Sequence, residues 1–366
     1  MSTSTELAAN ASLFPVWDPS EPFPSPQEMC DLDIVTHVAI ERAQPNGYHY
    51  LHEATIAWHH DQFYLGWANH RTREDNNRDE IIRGRTSTDG LHWSEPWEWV
   101  PVPESGAESL NHPLLFSHGG KLLGFFVGWH EDYPTTEIYI FDESTGRWQY
   151  QHGSDIPWFL PFCTPQRMND GNWVIGGEHY WFDAAVAISK GDDLTHWEMV
   201  DVPRDHSFKM LFPESAVVNQ NDRLLSFSRP IQTQTAPVSE SHDCGRTWTP
   251  LVLSNFPLSS SQPFAGRLST GQNYLLTDSL EEGRALLSIA VTGPEGGLFR
   301  RIFKVRHQQW PARRLFGGYG DGSCVGFSTE WSYPSAIEHN GNLYITYTQG
   351  KEDCVLSIVP IEVLSV

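Results

Sequence analysis

One unit recurs six times along this chain, and that recurrence limits the fold more than any other feature. Each copy is an apolar stretch, a polar Gly/Asp/Asn turn and a second apolar stretch, as in LHEATIAWHHDQFYLGWAN from Leu51 or YPSAIEHNGNLYITYTQ from Tyr333. The turns fall near Asp61, Gly119, Gly171, Asp222, Gly271 and Gly341, at intervals of 58, 52, 51, 49 and 70 residues. A period in this range marks a repeat architecture. Two short strands about a tight turn, repeated with further strand material between copies, is the pattern of propeller blades. The expectation is an all-β chain. A six-bladed β-propeller of four-stranded antiparallel blades spans residues 45–366, and an irregular lead-in over residues 1–44 packs on it. Function then belongs where the innermost strands converge on the central channel.

Composition agrees with many short strands and large inter-sheet contacts. The 15 Trp and 19 Phe supply flat side chains to pack between blades, and the 25 Pro and 29 Gly suit frequent turns. A net charge of −22 leaves no basic footprint, which excludes a nucleic-acid partner. The attraction of an anionic ligand must then come from a few local arginines. Cys30, Cys163, Cys244, Cys324 and Cys354 are scattered without CxxC spacing, so neither a disulfide framework nor a thiolate zinc site is expected. The opening MSTSTELAANASLFPVW lacks the pattern of a secretory signal, and no run of 18 apolar residues occurs. The reading is a cytoplasmic protein without a membrane partner.

A second element lies between the units. SHDCGRTW, from Ser241 to Trp248, fits S-x-D-x-G-x-T-W at every fixed position. STDGLHW from Ser87 is one residue short, SKGDDLTHW from Ser189 and DESTGRW from Asp142 are degenerate, and TGPEGGLF from Thr292 has lost its Asp. In such a box the Asp carboxylate accepts backbone N–H groups across a turn, Gly supplies a positive φ, and Trp packs back between sheets. These boxes are read as structural and carry no chemistry.

With these boxes the chain resembles the sialidase superfamily, whose propellers carry Asp-box (BNR) repeats, over roughly residues 45–360. The scaffold hosts hydrolases, lyases and non-catalytic binders, so the resemblance speaks to fold before reaction. Five-bladed fructosidase- or arabinosidase-like propellers are set aside because six units are present. Glu214 in FPESAVV with Arg229 in LLSFSRP resembles the family's glutamate and its second carboxylate-binding arginine. Arg284 in EEGRALLSIAVTG resembles the third arginine, and Tyr333 in EWSYPSAI the nucleophilic tyrosine. The resemblance makes Glu214 the acceptor of the tyrosine proton. It puts the acid/base aspartate at Asp75 in RTREDNNRDE, with Asp79 as the alternative. Two positions depart from the family. His52-Glu53-Ala54 stands where an Arg-Ile-Pro motif is usual, with Arg71 as the replacement cation, and Pro334 follows Tyr333 where Ser is usual.

Aligning the units on their turns yields two polar columns where an ordinary core would be apolar. The first holds Glu53, His112, Thr164, Glu214, Phe264 or Ala265, and Tyr333. The second holds Asn69-His70-Arg71, Trp129-His130, Glu178-His179, Ser228-Arg229, Asp278, and Gln349 with Lys351. A polar site at the axis follows. Tyr333, Glu214, Asp75, Glu53 and His112 are the candidate catalytic residues. Arg71, Arg229, Arg284, His70, His130 and His179 are the candidate substrate-binding residues. The leading function is an exo-acting glycoside hydrolase removing a terminal acidic or deoxy sugar from an oligosaccharide. One alternative is a lyase acting at a uronate linkage, such as rhamnosyl-glucuronate, with His and Tyr as acid and base. A non-catalytic glycan- or protein-binding propeller is the other. The His and Glu spacing matches no compact metal-ligand motif, so no metal or other cofactor is expected. The arginine-bearing stretch 300–330 reads as a long loop over the channel mouth.

Overall fold

The computed structural model describes residues 13–73, 79–131, 133–205, 208–231, 233–280, 284–307, 316 and 330–366. It is a six-bladed β-propeller. The first blade runs outward from Tyr50–His59 through Gln62–His70 and Ile81–Ser87 to Trp97–Glu98. The second repeats this from Ser109–His118 through Lys121–His130 and Tyr133–Asp142 to Arg147–Tyr150. The third has a split inner strand, Phe159–Pro161 and Gln166–Arg167, paired with Trp173–His179. Inner strands of the last three blades are Ser215–Asn219, Phe264–Arg267 and Trp331–His339. No helix among the described residues is long and apolar enough to cross a membrane.

Each recurring turn closes the innermost hairpin of one blade, so the repeat read from the sequence is the strand pair lining the axis. Positive φ values at Asp61, Gly119, Gly120, Gly171, Asn221, Gly271 and Gly341 mark these turns. The boxes close the outer hairpins. In the complete box, Asp243 Oδ1 accepts the Thr247 backbone N–H at 2.9 Å and Trp248 donates its indole N–H to Gly245 O at 2.8 Å. Thr247's hydroxyl and backbone hold the Asp243 carboxyl down to about 2.

Blade contacts are aromatic. Trp99 lies 5.2 Å from Trp148 and 6.1 Å from Phe126, centroid to centroid. Its indole covers Gly66 and Gly84, where a Cβ would overlap the ring. Ring closure uses the start of the chain: Thr36–Arg42, in the stretch read as lead-in, pairs antiparallel with Asp353–Pro360 as the outer strand of the last blade. Upstream, Cys30–Asp31 adds in parallel to the outer strand of the fifth blade, and Trp17 packs against Phe23 and Phe256. Cys30, Cys163, Cys244 and Cys354 are all unpaired thiols.

Three inner strands share one irregularity that positions the site. The ladder slips between His52 and Thr55, between Asn111 and Leu114, and between Ser332 and Ser335. At each slip a non-glycine residue takes a left-handed backbone: Glu53 at φ 57°, His112 at φ 43° and Tyr333 at φ 53°. A β-bulge re-aims one side chain, and a positive φ at such residues costs on the order of 1–3 kcal/mol. Pro113 and Pro334 follow two of them; the missing N–H is tolerated because the bulge already interrupts the ladder.

Candidate functional site

Inner strands begin, and second strands end, at the same mouth of the propeller. There a cavity of about 310 Å³ is lined by His112, Trp129, Glu178, Trp181, Phe212, Glu214, Arg229, Arg284, Tyr333 and Lys351, with Leu160 and Phe162. A narrow axial space of about 20 Å³, bordered by Glu53, His112, Phe264 and Tyr333, lies beyond it. The opposite mouth holds a separate cavity of about 570 Å³ bordered by Trp58, Arg167 and Arg267.

At the centre, the Tyr333 hydroxyl donates a very short hydrogen bond to Glu214 Oε1. Arg229 Nη1 binds that same oxygen at 2.7 Å and reaches the Tyr333 oxygen at 3.2 Å. The phenol therefore has a carboxylate to take its proton and a guanidinium beside the oxyanion that would remain. Arg284 lies over the Tyr333 ring, 5.3 Å from its centroid, and its Nη1 binds Glu330 Oε1 at 2.7 Å. Ser332 Oγ donates to that Glu330 oxygen at 2.9 Å. Burial alone would lower the affinity of both arginines for their protons. The carboxylates of Glu214 and Glu330 outweigh it and keep both guanidiniums charged.

A second pair faces them. Glu53 accepts the His112 backbone N–H at Oε2 (2.7 Å) and His112 Nε2 at Oε1 (3.0 Å). Burial, then the nearby Lys351 charge, holds the His112 imidazole down to about 3. With Nε2 assigned as the donor to Glu53, Nδ1 is the basic nitrogen. His52 lies beneath, its ring 4.2 Å from that of Tyr333 and its Nδ1 2.7 Å from Thr348 Oγ1. Burial pushes the His52 imidazole well below its usual range.

At the cavity wall, Glu178 Oε2 and Glu214 Oε2 are buried without a hydrogen-bond partner among the described residues, as is His52 Nε2 beneath Tyr333. Such atoms cost about 1–3 kcal/mol each, and at a cavity they mark where a ligand or water completes the bonding. Burial, then the charge of Glu214, drives the Glu178 carboxyl well above the ordinary range. Burial does the same for Asp278. In each, burial favours the protonated form over the carboxylate. A raised folded-state pKa contributes stability that is present below the unfolded value near 4.5 and is lost as pH rises through the folded value. Glu178→Gln, which mimics the protonated acid, is accordingly expected to match the parent near pH 4. By pH 8 it should be more stable by about 1 kcal/mol or more. Chemical denaturation at both pH values checks this; a variant less stable at pH 8 would show that the carboxylate form is the one the fold needs.

The structure brings together Tyr333, Glu214, Arg229, Arg284, Glu53 and His112. It separates four of the other expected residues from the cavity. His130 turns to Glu137 at 3.0 Å, His179 to Asp201 at 2.9 Å, and His70 Nδ1 accepts the Arg73 backbone N–H at 3.0 Å. Arg71 is exposed and lies over the Tyr48 ring. Side chains alternate between faces along a strand, so within Trp129-His130 and Glu178-His179 one member faces the cavity and the other does not. The inward members are Trp129 and Glu178. Among the cations, it is Lys351 that joins Arg229 and Arg284 at the cavity wall. Asp75 lies outside the described residues, as does most of 300–330 beyond His307; Asp79 is exposed. Glu330, the partner of Arg284, was missed because 46 residues separate the two.

Blade count, outer-hairpin boxes and a buried polar pocket at one mouth define an Asp-box propeller of sialidase-like architecture. The chain belongs to the BNR repeat-like domain family, whose model matches residues 61–345. No curated protein matches it. Among solved structures it is similar to a Dyadobacter fermentans protein of unknown function (15% identity, TM-score 0.64), covering 88% of this chain and 98% of that one. It is also similar to a Hadza microbial sialidase (13% identity, TM-score 0.67), covering 89% and 69% of the two chains. The Trypanosoma rangeli sialidase has 14% identity and a TM-score of 0.61; 88% of this chain spans 59% of that one. At such identities the likeness concerns the fold alone.

Proposed function

We propose that this protein is an exo-acting glycoside hydrolase that removes a terminal acidic or deoxy sugar from an oligosaccharide. The observation carrying this reading is the hydrogen-bonded set Tyr333–Glu214–Arg229 in a cavity walled by Trp129, Phe162, Trp181 and Phe212. Tyr333 attacks the anomeric carbon while its proton passes to Glu214 and the bond to the leaving oxygen breaks. An acid protonates that oxygen, the role assigned to Asp75, and water then releases the sugar from the tyrosine. Arg229, Arg284 and Lys351 supply the cations for an anionic substituent. The Trypanosoma rangeli neighbour is described in complex with sialic acid, which supports an acidic sugar. The aromatic lining of the pocket suits the apolar face of a pyranose.

The Glu53–His112 pair favours a second reading. A neutral imidazole with one nitrogen tied to a carboxylate suits proton abstraction at C5 of a uronate, followed by elimination. Incubation with acidic oligosaccharides, sialosides and rhamnosyl-glucuronate glycans included, in heavy-oxygen water separates the two. Hydrolysis places one heavy oxygen in the product. Elimination gives products summing to the substrate mass, one of them unsaturated and absorbing in the near-ultraviolet. Intact substrate throughout the panel would overturn both and leave a binding propeller.

A further inference from the structure

Away from the cavity, the first inner hairpin carries a cluster that the glycosidase reading does not use. His59 Nε2 and His60 Nδ1 both face Glu143 Oε1, at 2.9 and 2.5 Å. The three potential ligand atoms lie within 4.8 Å of one another. His59 and His60 close the inner hairpin of the first blade, while Glu143 sits in the outer hairpin turn after Tyr133–Asp142 of the second. The cluster therefore bridges two blades. Glu143 lies 83 residues from His60, which is why spacing did not announce it.

We infer that His59, His60 and Glu143 form a binding site for a divalent first-row transition cation such as Zn²⁺. Two imidazoles and one carboxylate are the donor set of such cations and suit neither Mg²⁺ nor Ca²⁺. Ligand atoms around a tetrahedral Zn²⁺ stand roughly 3.3 Å apart, given bonds of about 2.0–2.2 Å. The present separations reach that spacing by a small rotation of the exposed Glu143 and His60 side chains.

Two further observations point the same way. His59 is buried, and its other nitrogen, Nδ1, is held 2.9 Å from Ser117 Oγ, the outer-shell contact that orients a ligating imidazole. His60 and Asp61 hold left-handed backbones (φ 42° and 63°) at a turn where the second blade uses Gly119 and Gly120. The chain thus accepts strain to place an imidazole there. Three protein donors leave the fourth position to water.

Zn²⁺ titration of the full chain after chelator treatment tests the site. The parent is expected to bind one equivalent and to melt at a higher temperature with the metal. The His60→Ala, Glu143→Gln double variant alters exposed side chains and should keep the metal-free melting temperature. It should lose at least a hundredfold in affinity, and Ser117→Ala about tenfold. Co²⁺ should give the visible absorption of a tetrahedral complex in the parent alone. No uptake by the parent, or the same uptake by the double variant, would overturn the inference. Neither result bears on Tyr333 or the sugar chemistry.

Discussion

Tyr333→Phe is expected to lower kcat by about 10³-fold or more, on whichever acidic oligosaccharide the heavy-oxygen panel identifies, with little change in substrate affinity. The substitution removes one oxygen from a ring packed between His52 and Arg284. Glu214 keeps its 2.7 Å contact with Arg229, so the buried charges stay paired and the fold is spared. The loss therefore reports the chemistry of the phenol and not a collapse of the pocket. A Phe variant turning over near the parental rate would remove Tyr333 from the mechanism under either enzyme reading. Equal loss in binding would instead make the hydroxyl a substrate contact.

Glu330→Gln is expected to destabilise the protein by about 3–5 kcal/mol, measured from denaturant midpoints. Removing one partner of a buried pair leaves the other charge uncompensated. The side chains of Arg284 and Glu330 are only 11% and 10% exposed, so solvent screens the pair little. Gln keeps the shape and one acceptor for Arg284 and Ser332 but carries no charge. A loss below about 1 kcal/mol would mean that Arg284 is solvated and that its guanidinium does not depend on Glu330.

Repeats and turns were legible in the sequence because they are local. Hairpin turns need Gly, Asn or Asp at left-handed positions, and the box needs Asp, Gly and Trp at fixed offsets, so each writes itself into a few adjacent residues. Glu53, His112, Tyr333 and Glu214 were also legible, since they occupy one column relative to those turns. The second column was legible only to within a residue. The half-turn between Trp129 and His130, or Glu178 and His179, depends on the phase of the strand, which the polar character of both residues conceals.

By itself, then, the sequence determined the six blades, the box-closed outer hairpins and the inner column of polar residues, all consequences of short-range backbone preference. Tertiary structure alone decided which side chains meet. The bulges that turn Glu53, His112 and Tyr333 to the axis depend on pairing register. The partnership of Arg284 with Glu330, and of His59 and His60 with Glu143, joins residues from separate parts of the ring. So does the closing of the last blade by Thr36–Arg42. The raised proton affinity of Glu178 and Asp278 follows first from burial. Burial is a property of the closed ring, and no local stretch of sequence encodes it.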